Sequence, residues 1–109
     1  MKGKFVLVPF PFTDLTASKL RPALVLYEGQ KDVVVAFISS RTQQETPKHS
    51  VKIPQNHEEF KITGLKVQSI VRLDKVATVL KDLIIGELGE AGPKLKKEIN
   101  KKITEIYTF

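Results

Sequence analysis

The chain has 109 residues, 41% apolar and 28% charged, which is enough for one domain built on one core. Its 18 Lys and Arg against 12 Asp and Glu leave a net charge of +6, a balance that favours polyanions or acidic protein segments as partners. The absence of cysteine excludes disulfides, thiolate metal sites and cysteine nucleophiles, and no apolar stretch reaches membrane-spanning length.

Met1-Lys2-Gly3 leads straight into a strand-like run rather than a signal peptide. The expectation is a soluble, cytoplasmic protein with a single domain over residues 1–109. Phe5 to Val8 reads as a buried first strand that "PFPF" (Pro9 to Phe12) stops from pairing normally. Thr13 to Leu20 is polar and loop-like. "PALVLYEG" from Pro22 is a second strand, and "DVVVAFISS" is a third whose valine run suits cover on both faces. "RTQQETPK" is a polar loop, "HSVKI" alternates like a half-exposed strand, and "PQNHEEFKITG" is a loop with room for one helical turn. "SIVRL", "KVATVL" and "LIIGEL" follow at short intervals. Six or seven short strands joined by turn-rich loops form the pattern of a small, strongly curved barrel.

The end of the chain changes period. Gly92-Pro93 suits a helix start. Leu95, Ile99, Ile103 and Ile106 then recur on one helical face, with Lys94, Lys96, Lys97, Lys101 and Lys102 mostly on the others. An amphipathic helix docking its apolar stripe on the barrel accounts for both sets, and its lysines read as a solvated face.

Few side chains offer chemistry. His49 and His57 are the only histidines, and they form no compact ligand cluster even with Glu58 and Glu59 beside the second, so no metal or other cofactor is expected. Phosphate-loop and nucleophile-elbow motifs are lacking. An enzyme on this chain needs a substrate that carries its own nucleophile, and RNA does. Its 2′-hydroxyl lies beside a phosphodiester, so in-line attack asks for orientation, a proton acceptor and stabilisation of developing charge. Arg21, in "SKLRPALVL", suits the last task because a guanidinium pairs bidentately with phosphate oxygens. Ser39 and Ser40, at the exit of the third strand and followed by Arg41, can donate to a phosphate or position a ribose hydroxyl. Spacing alone favours plainer roles: a surface arginine at a loop–strand junction, and serines that satisfy backbone groups at a strand end.

Taken together, "KGKFVLVPFPFTD", "SKLRPALVL", "VVVAFISS", "GLKVQSIVRLDKVATV" and "IIGEL", in this order, resemble the MazF/PemK family of toxin–antitoxin ribonucleases. The resemblance implies a mainly β fold, an SH3-like or CcdB-like barrel with a C-terminal helix, assembled as a homodimer. It implies metal-independent cleavage of single-stranded RNA at short sequences, leaving 2′,3′-cyclic phosphate and 5′-hydroxyl ends. The family's catalytic arginine falls on Arg21, in the loop before the second strand, and its catalytic threonine on Ser39, a change that keeps the hydroxyl and loses a methyl. Phe12, Thr13, Lys19 and Ser69 are expected near the RNA groove. A cognate antitoxin with an acidic, disordered tail is the implied partner. A non-catalytic toxin of the same fold, binding RNA or DNA gyrase, is the alternative. This chain departs from the family in Lys2-Gly3-Lys4, where an acid is usual at the third position, and in Lys75 after Asp74, where glutamine is common. Both departures add positive charge.

Overall fold

The computed structural model describes residues 1–10, 19–40 and 48–109. Six strands form one antiparallel sheet: β1 (Lys4–Phe10), β2 (Lys19–Glu28), β3 (Asp32–Ser39), β4 (Ser50–Ile53), β5 (Ser69–Leu80) and β6 (Gly86–Glu90). Their order across the sheet is β4-β5-β3-β2-β1-β6. A short helix, α1 (Phe60–Thr63), precedes β5, and a long one, α2 (Pro93–Tyr107), ends the fold. The sheet curls into a half-barrel, as the sequence leads one to expect.

Three register shifts drive the curl, because extra residues on one strand bend it and add right-handed twist. Leu88 is extra on β6 where β1 steps from Phe5 to Val6, and Leu26 is extra on β2 between Val25 and Tyr27. The largest lies on β5. Ala36 pairs with Val76 and Phe37 with Arg72, so Leu73, Asp74 and Lys75 have no partners on β3. "SIVRL" and "KVATVL", which read as separate strands, are therefore one strand interrupted by a bulge.

The middle strands are buried on both faces. Phe5, Leu24, Ala36, Ile38, Val71 and Leu73 join one cluster with Leu95 and Ile99 of α2. Val6, Val8, Ala23, Val25, Val33 and Val35 form the other. Ile103 and Ile106 pack partly buried against the first cluster, which completes the stripe read from the sequence. Tyr107 donates its hydroxyl to the Leu73 carbonyl, tying the helix end to the bulge.

Two prolines sit where the ladders run out. Strand residues direct both backbone polar groups to alternate neighbours. Leu7 accepts from Ile85 on the β6 side, so Pro9 faces the same side, beyond Gly86, the last partner of β1 on β6. Pro9 accordingly still pairs with Leu20, and β1 runs further than "PFPF" suggests. Val25 accepts from Gly3 on the β1 side, so Pro22 faces β3, where pairing ends at Ala23 with Phe37. β2 also begins earlier than expected. Arg21 is a strand residue opposite Val8, not a loop residue.

The start of α2 is capped from a distance. The Lys94 and Leu95 amides donate to the two carboxylate oxygens of Glu59 at 2.9 and 2.8 Å. A Cβ on Gly92 would stand 2.5 Å from that carboxylate, so glycine makes room for the cap. The Glu59 amide in turn donates to His57 Nδ1 at 3.0 Å, and His57 Nε2 lies 3.4 Å from Glu98 of α2. His57 thus joins the α1 approach to the helix.

Desolvation raises the Glu59 pKa, but the two backbone amides outweigh it and leave it below the ordinary 4.5. A depressed carboxylate stabilises the fold above its unfolded-state value and loses that contribution as pH falls through the folded value. Glu59→Gln should lower stability at pH 7 by about 1 kcal/mol. It should also flatten the acid limb of a stability–pH curve below pH 4.5, as measured by urea unfolding.

Candidate nucleic-acid interface

Beyond Ala23, β2 and β3 part, and the gap between them opens into a cleft of about 1000 Å³. Arg21 and Pro22 of β2 form one lip. Ile38, Ser39 and Ser40, at the end of β3, form another. The β5 bulge contributes Arg72, Lys75 and Val76, and the segment after α1 contributes Gly64 to Val67. Leu7 and Leu88 are apolar parts of the lining.

The structure brings Arg21, Ser39, Ser40 and Ser69 to this one cleft. Arg21 is exposed and has no ion-pair partner among the described residues. Pairing with Val8 holds its backbone, and a guanidinium on a strand starts from a stiffer base than one on a loop. Ser39 is half-buried and pairs with Ile70, whereas Ser40 is exposed just past the strand. Ser69 is 2% exposed, and its hydroxyl donates to the Val67 carbonyl at 2.8 Å. It shapes the wall and has little surface to offer a ligand. Lys19 is exposed at the start of β2 but does not line the cleft. Phe12, Thr13 and Arg41 lie outside the described residues.

The site is more cationic than the sequence reading supposed. Lys66, Arg72 and Lys75 stand with Arg21 in the lining, and no carboxylate lines it among the described residues. Arg72 is held in a two-pronged fork: Nε and Nη2 donate to the Asp74 carboxylate oxygens at 2.9 and 2.8 Å. Hydrogen bonding to Arg72 holds the Asp74 carboxyl below its ordinary range. The signal for this pair was present in "SIVRLDK". An arginine in an apolar run, with an aspartate two residues on, is the spacing that places two strand side chains on one face. Lys66 carried no such signal, because only the fold brings residues after α1 to face β2.

Glycines set the approach of that segment. Gly64 closes α1 in the left-handed region at φ 73°, and its amide donates to Lys61. Thr63 Oγ1 donates to the Phe60 carbonyl and accepts from the Leu65 amide, satisfying the helix end internally. The arrangement as a whole can hold polyanions by charge and can direct hydroxyl and guanidinium donors at one phosphate. Among the described residues, no three His, Asp or Glu side chains converge as a metal-ligand set.

Residues 1–107 match the family described as PemK-like, MazF-like toxin of type II toxin–antitoxin systems. Among solved structures, the toxin MazF-mt6 of Mycobacterium tuberculosis is similar at 17% identity, covering 94% of this chain and 93% of that one with a TM-score of 0.71. An endoribonuclease in complex with its cognate antitoxin, from a Mycobacterial species, is similar at 20% identity, over 96% of this chain and 91% of that one with a TM-score of 0.71. A further Mycobacterial endoribonuclease is 20% identical, with 96% and 88% covered and a TM-score of 0.69. At these identities the likeness is one of fold. No curated protein matches the chain in sequence.

Gly64→Ala should test how tightly the wall is built. The added Cβ would meet the Leu88 carbonyl, and φ 73° disfavours any L side chain. A loss of more than about 1 kcal/mol is expected, seen as a lower Tm in a thermal melt.

Proposed function

The chain belongs to the PemK-like, MazF-like family of type II toxins, and we propose that it is a metal-independent endoribonuclease that cleaves single-stranded mRNA in the cytoplasm. The observation that carries this reading is one cleft holding Arg21 and Ser39 among uncompensated lysines.

The chemistry follows from RNA itself. The 2′-oxygen attacks the adjacent phosphorus, the bond to the 5′-oxygen breaks, and the products are a 2′,3′-cyclic phosphate and a 5′-hydroxyl. The 2′-hydroxyl loses its proton and the leaving oxygen gains one. Charge accumulates on the non-bridging oxygens, and donors aimed at that point lower the barrier more than they lower the ground state. Arg21 supplies a permanently charged guanidinium for it. Ser39 supplies a hydroxyl at the end of a rigid strand. Lys66 and Lys75 attract the flanking phosphates, so binding should weaken as salt rises.

The same charge gives an inhibitor its handle. A cognate antitoxin with an acidic segment would compete for a cleft lined by cations, as the neighbour structure with its antitoxin makes reasonable. A homodimer would also cover apolar side chains that stand exposed on one copy, among them Leu20, Tyr27 and Ile85. Sedimentation should then give twice the single-chain mass, and a single-chain mass at micromolar concentration would remove the dimer from this reading.

The deciding experiment incubates purified protein with a long single-stranded RNA in excess chelator and maps the new ends. Discrete cuts with cyclic-phosphate and 5′-hydroxyl termini are expected. Arg21→Ala should slow them by at least about 10²-fold, and Ser39→Ala by about tenfold, with folding checked by circular dichroism. Intact RNA with folded, antitoxin-free protein would reject the enzyme and leave a non-catalytic toxin that binds RNA or DNA gyrase.

A further inference from the structure

Arg72 differs from the other cations of the cleft in being matched by a carboxylate. Arg21, Lys66 and Lys75 have no ion-pair partner among the described residues, whereas Asp74 takes the Nε and Nη2 donors of Arg72. A guanidinium carries five N–H groups in a fixed plane. A fork through Nε and Nη2 consumes one edge of that plane. The opposite edge, with one N–H from Nη1 and one from Nη2 running parallel, lies outside the fork on a residue that lines the cleft.

Neutralising the charge changes what that edge can do well. Attraction to a phosphate grows with net charge, and the paired carboxylate removes most of it. Directional donation is untouched. The pair is also held firmly: Arg72 lies on β5 between Phe37 of β3 and Ser50 of β4, and Asp74 sits in the unpaired bulge that follows. The two parallel hydrogen bonds of the fork, at 2.9 and 2.8 Å, set the plane of the guanidinium against the carboxylate. A rigid, nearly neutral pair of parallel donors is suited to reading a base edge, where geometry decides, more than to gripping a backbone, where charge decides.

We propose that the Arg72–Asp74 fork selects sequence in this cleft, by donating through its remaining guanidinium edge to a base with two adjacent acceptors: guanine through O6 and N7, or cytosine through N3 and O2. The inference rests on the RNA-binding reading of the cleft given above. Asp74 is a positioning residue, since it fixes the plane of Arg72 and lowers its attraction for phosphate.

A random single-stranded pool of 2′-fluoro RNA, which lacks the attacking hydroxyl, tests the assignment by binding alone. The pool is selected on the wild type, Arg72→Gln, Arg72→Lys and Asp74→Asn, and the bound fractions are sequenced. The wild type should enrich guanine or cytosine at one position. Arg72→Gln and Arg72→Lys should both lose that preference while retaining the others. The loss should be at least about tenfold. Asp74→Asn should blur the same position and raise affinity for all sequences, with a steeper salt dependence. If guanine is chosen, 7-deazaguanine at that position should weaken the wild type alone; if cytosine is chosen, that substitution has no target.

A motif unchanged in Arg72→Gln, adenine or uracil preferred at the position that depends on Arg72, or no enriched position in the wild type would each overturn the proposal. So would a uniform loss of affinity across sequences, which would make Arg72 a phosphate contact. Cleavage of natural RNA is scored separately. Wild-type protein that cuts RNA while its motif ignores Arg72 rejects this proposal and keeps the ribonuclease. An Arg72-dependent motif in a protein that leaves RNA intact does the reverse.

Discussion

Three residues of β5 have nothing to pair with on β3, and most of what distinguishes this molecule follows from where they go. Leu73 turns inward and is fully buried in the helix-side core, where it meets the α2 stripe, and its carbonyl takes the Tyr107 hydroxyl. Asp74 and Lys75 are exposed. One insertion therefore anchors the terminal helix with its first residue, holds the Arg72 guanidinium with its second and furnishes the cleft with its third. Removing Leu73's side chain would cost about 2–5 kcal/mol by the usual cavity arithmetic, and the damage would not stay in the core, because the bulge is shared.

Charge is arranged in the same economical way. Acidic side chains are spent locally: Asp74 on Arg72 beside the cleft, and, at the start of α2, Glu59 on the helix amides and Glu58 on Lys94. Arg21, Lys66 and Lys75 of the lining consequently stand without an ion-pair partner among the described residues, a local excess that the chain's overall +6 does not convey. Long-range steering of a polyanion depends on such local imbalance more than on total charge. It also screens within about 8 Å at physiological salt, so final positioning falls to short-range donors.

Much of the fold was legible from periodicity. The alternation in "HSVKI", the valine run of β3 and the Leu95–Ile99–Ile103–Ile106 stripe each appear where they were expected. The failures share a cause: local chemistry was read without its neighbours. Pro22 looked like a strand start because proline lacks an amide, yet that amide would have faced a gap, so β2 runs through it and carries Arg21. Asp74 and Lys75 looked like a break because charges rarely sit within a strand, and the bulge that accommodates them is set by β3. Glu59 gave no capping signal, since the helix it caps begins more than thirty residues later along the chain. Arg21 and Ser39 stood out by residue type and position, and resemblance gave them their expected roles; Lys66 needed the fold.

The place where β2 and β3 part has one further property. An extended peptide often binds by adding itself to a free strand, zipping amide to carbonyl along the whole edge. Here the first β3-facing residue of β2 beyond the ladder is Pro22, which has a carbonyl to offer and no amide. A guest chain laid along that gap meets an interrupted row of donors at the point nearest Arg21. Backbone zippering is thereby discouraged, and occupants must be recognised through their phosphates, carboxylates or bases, which is to say by what they carry and not by their being a chain.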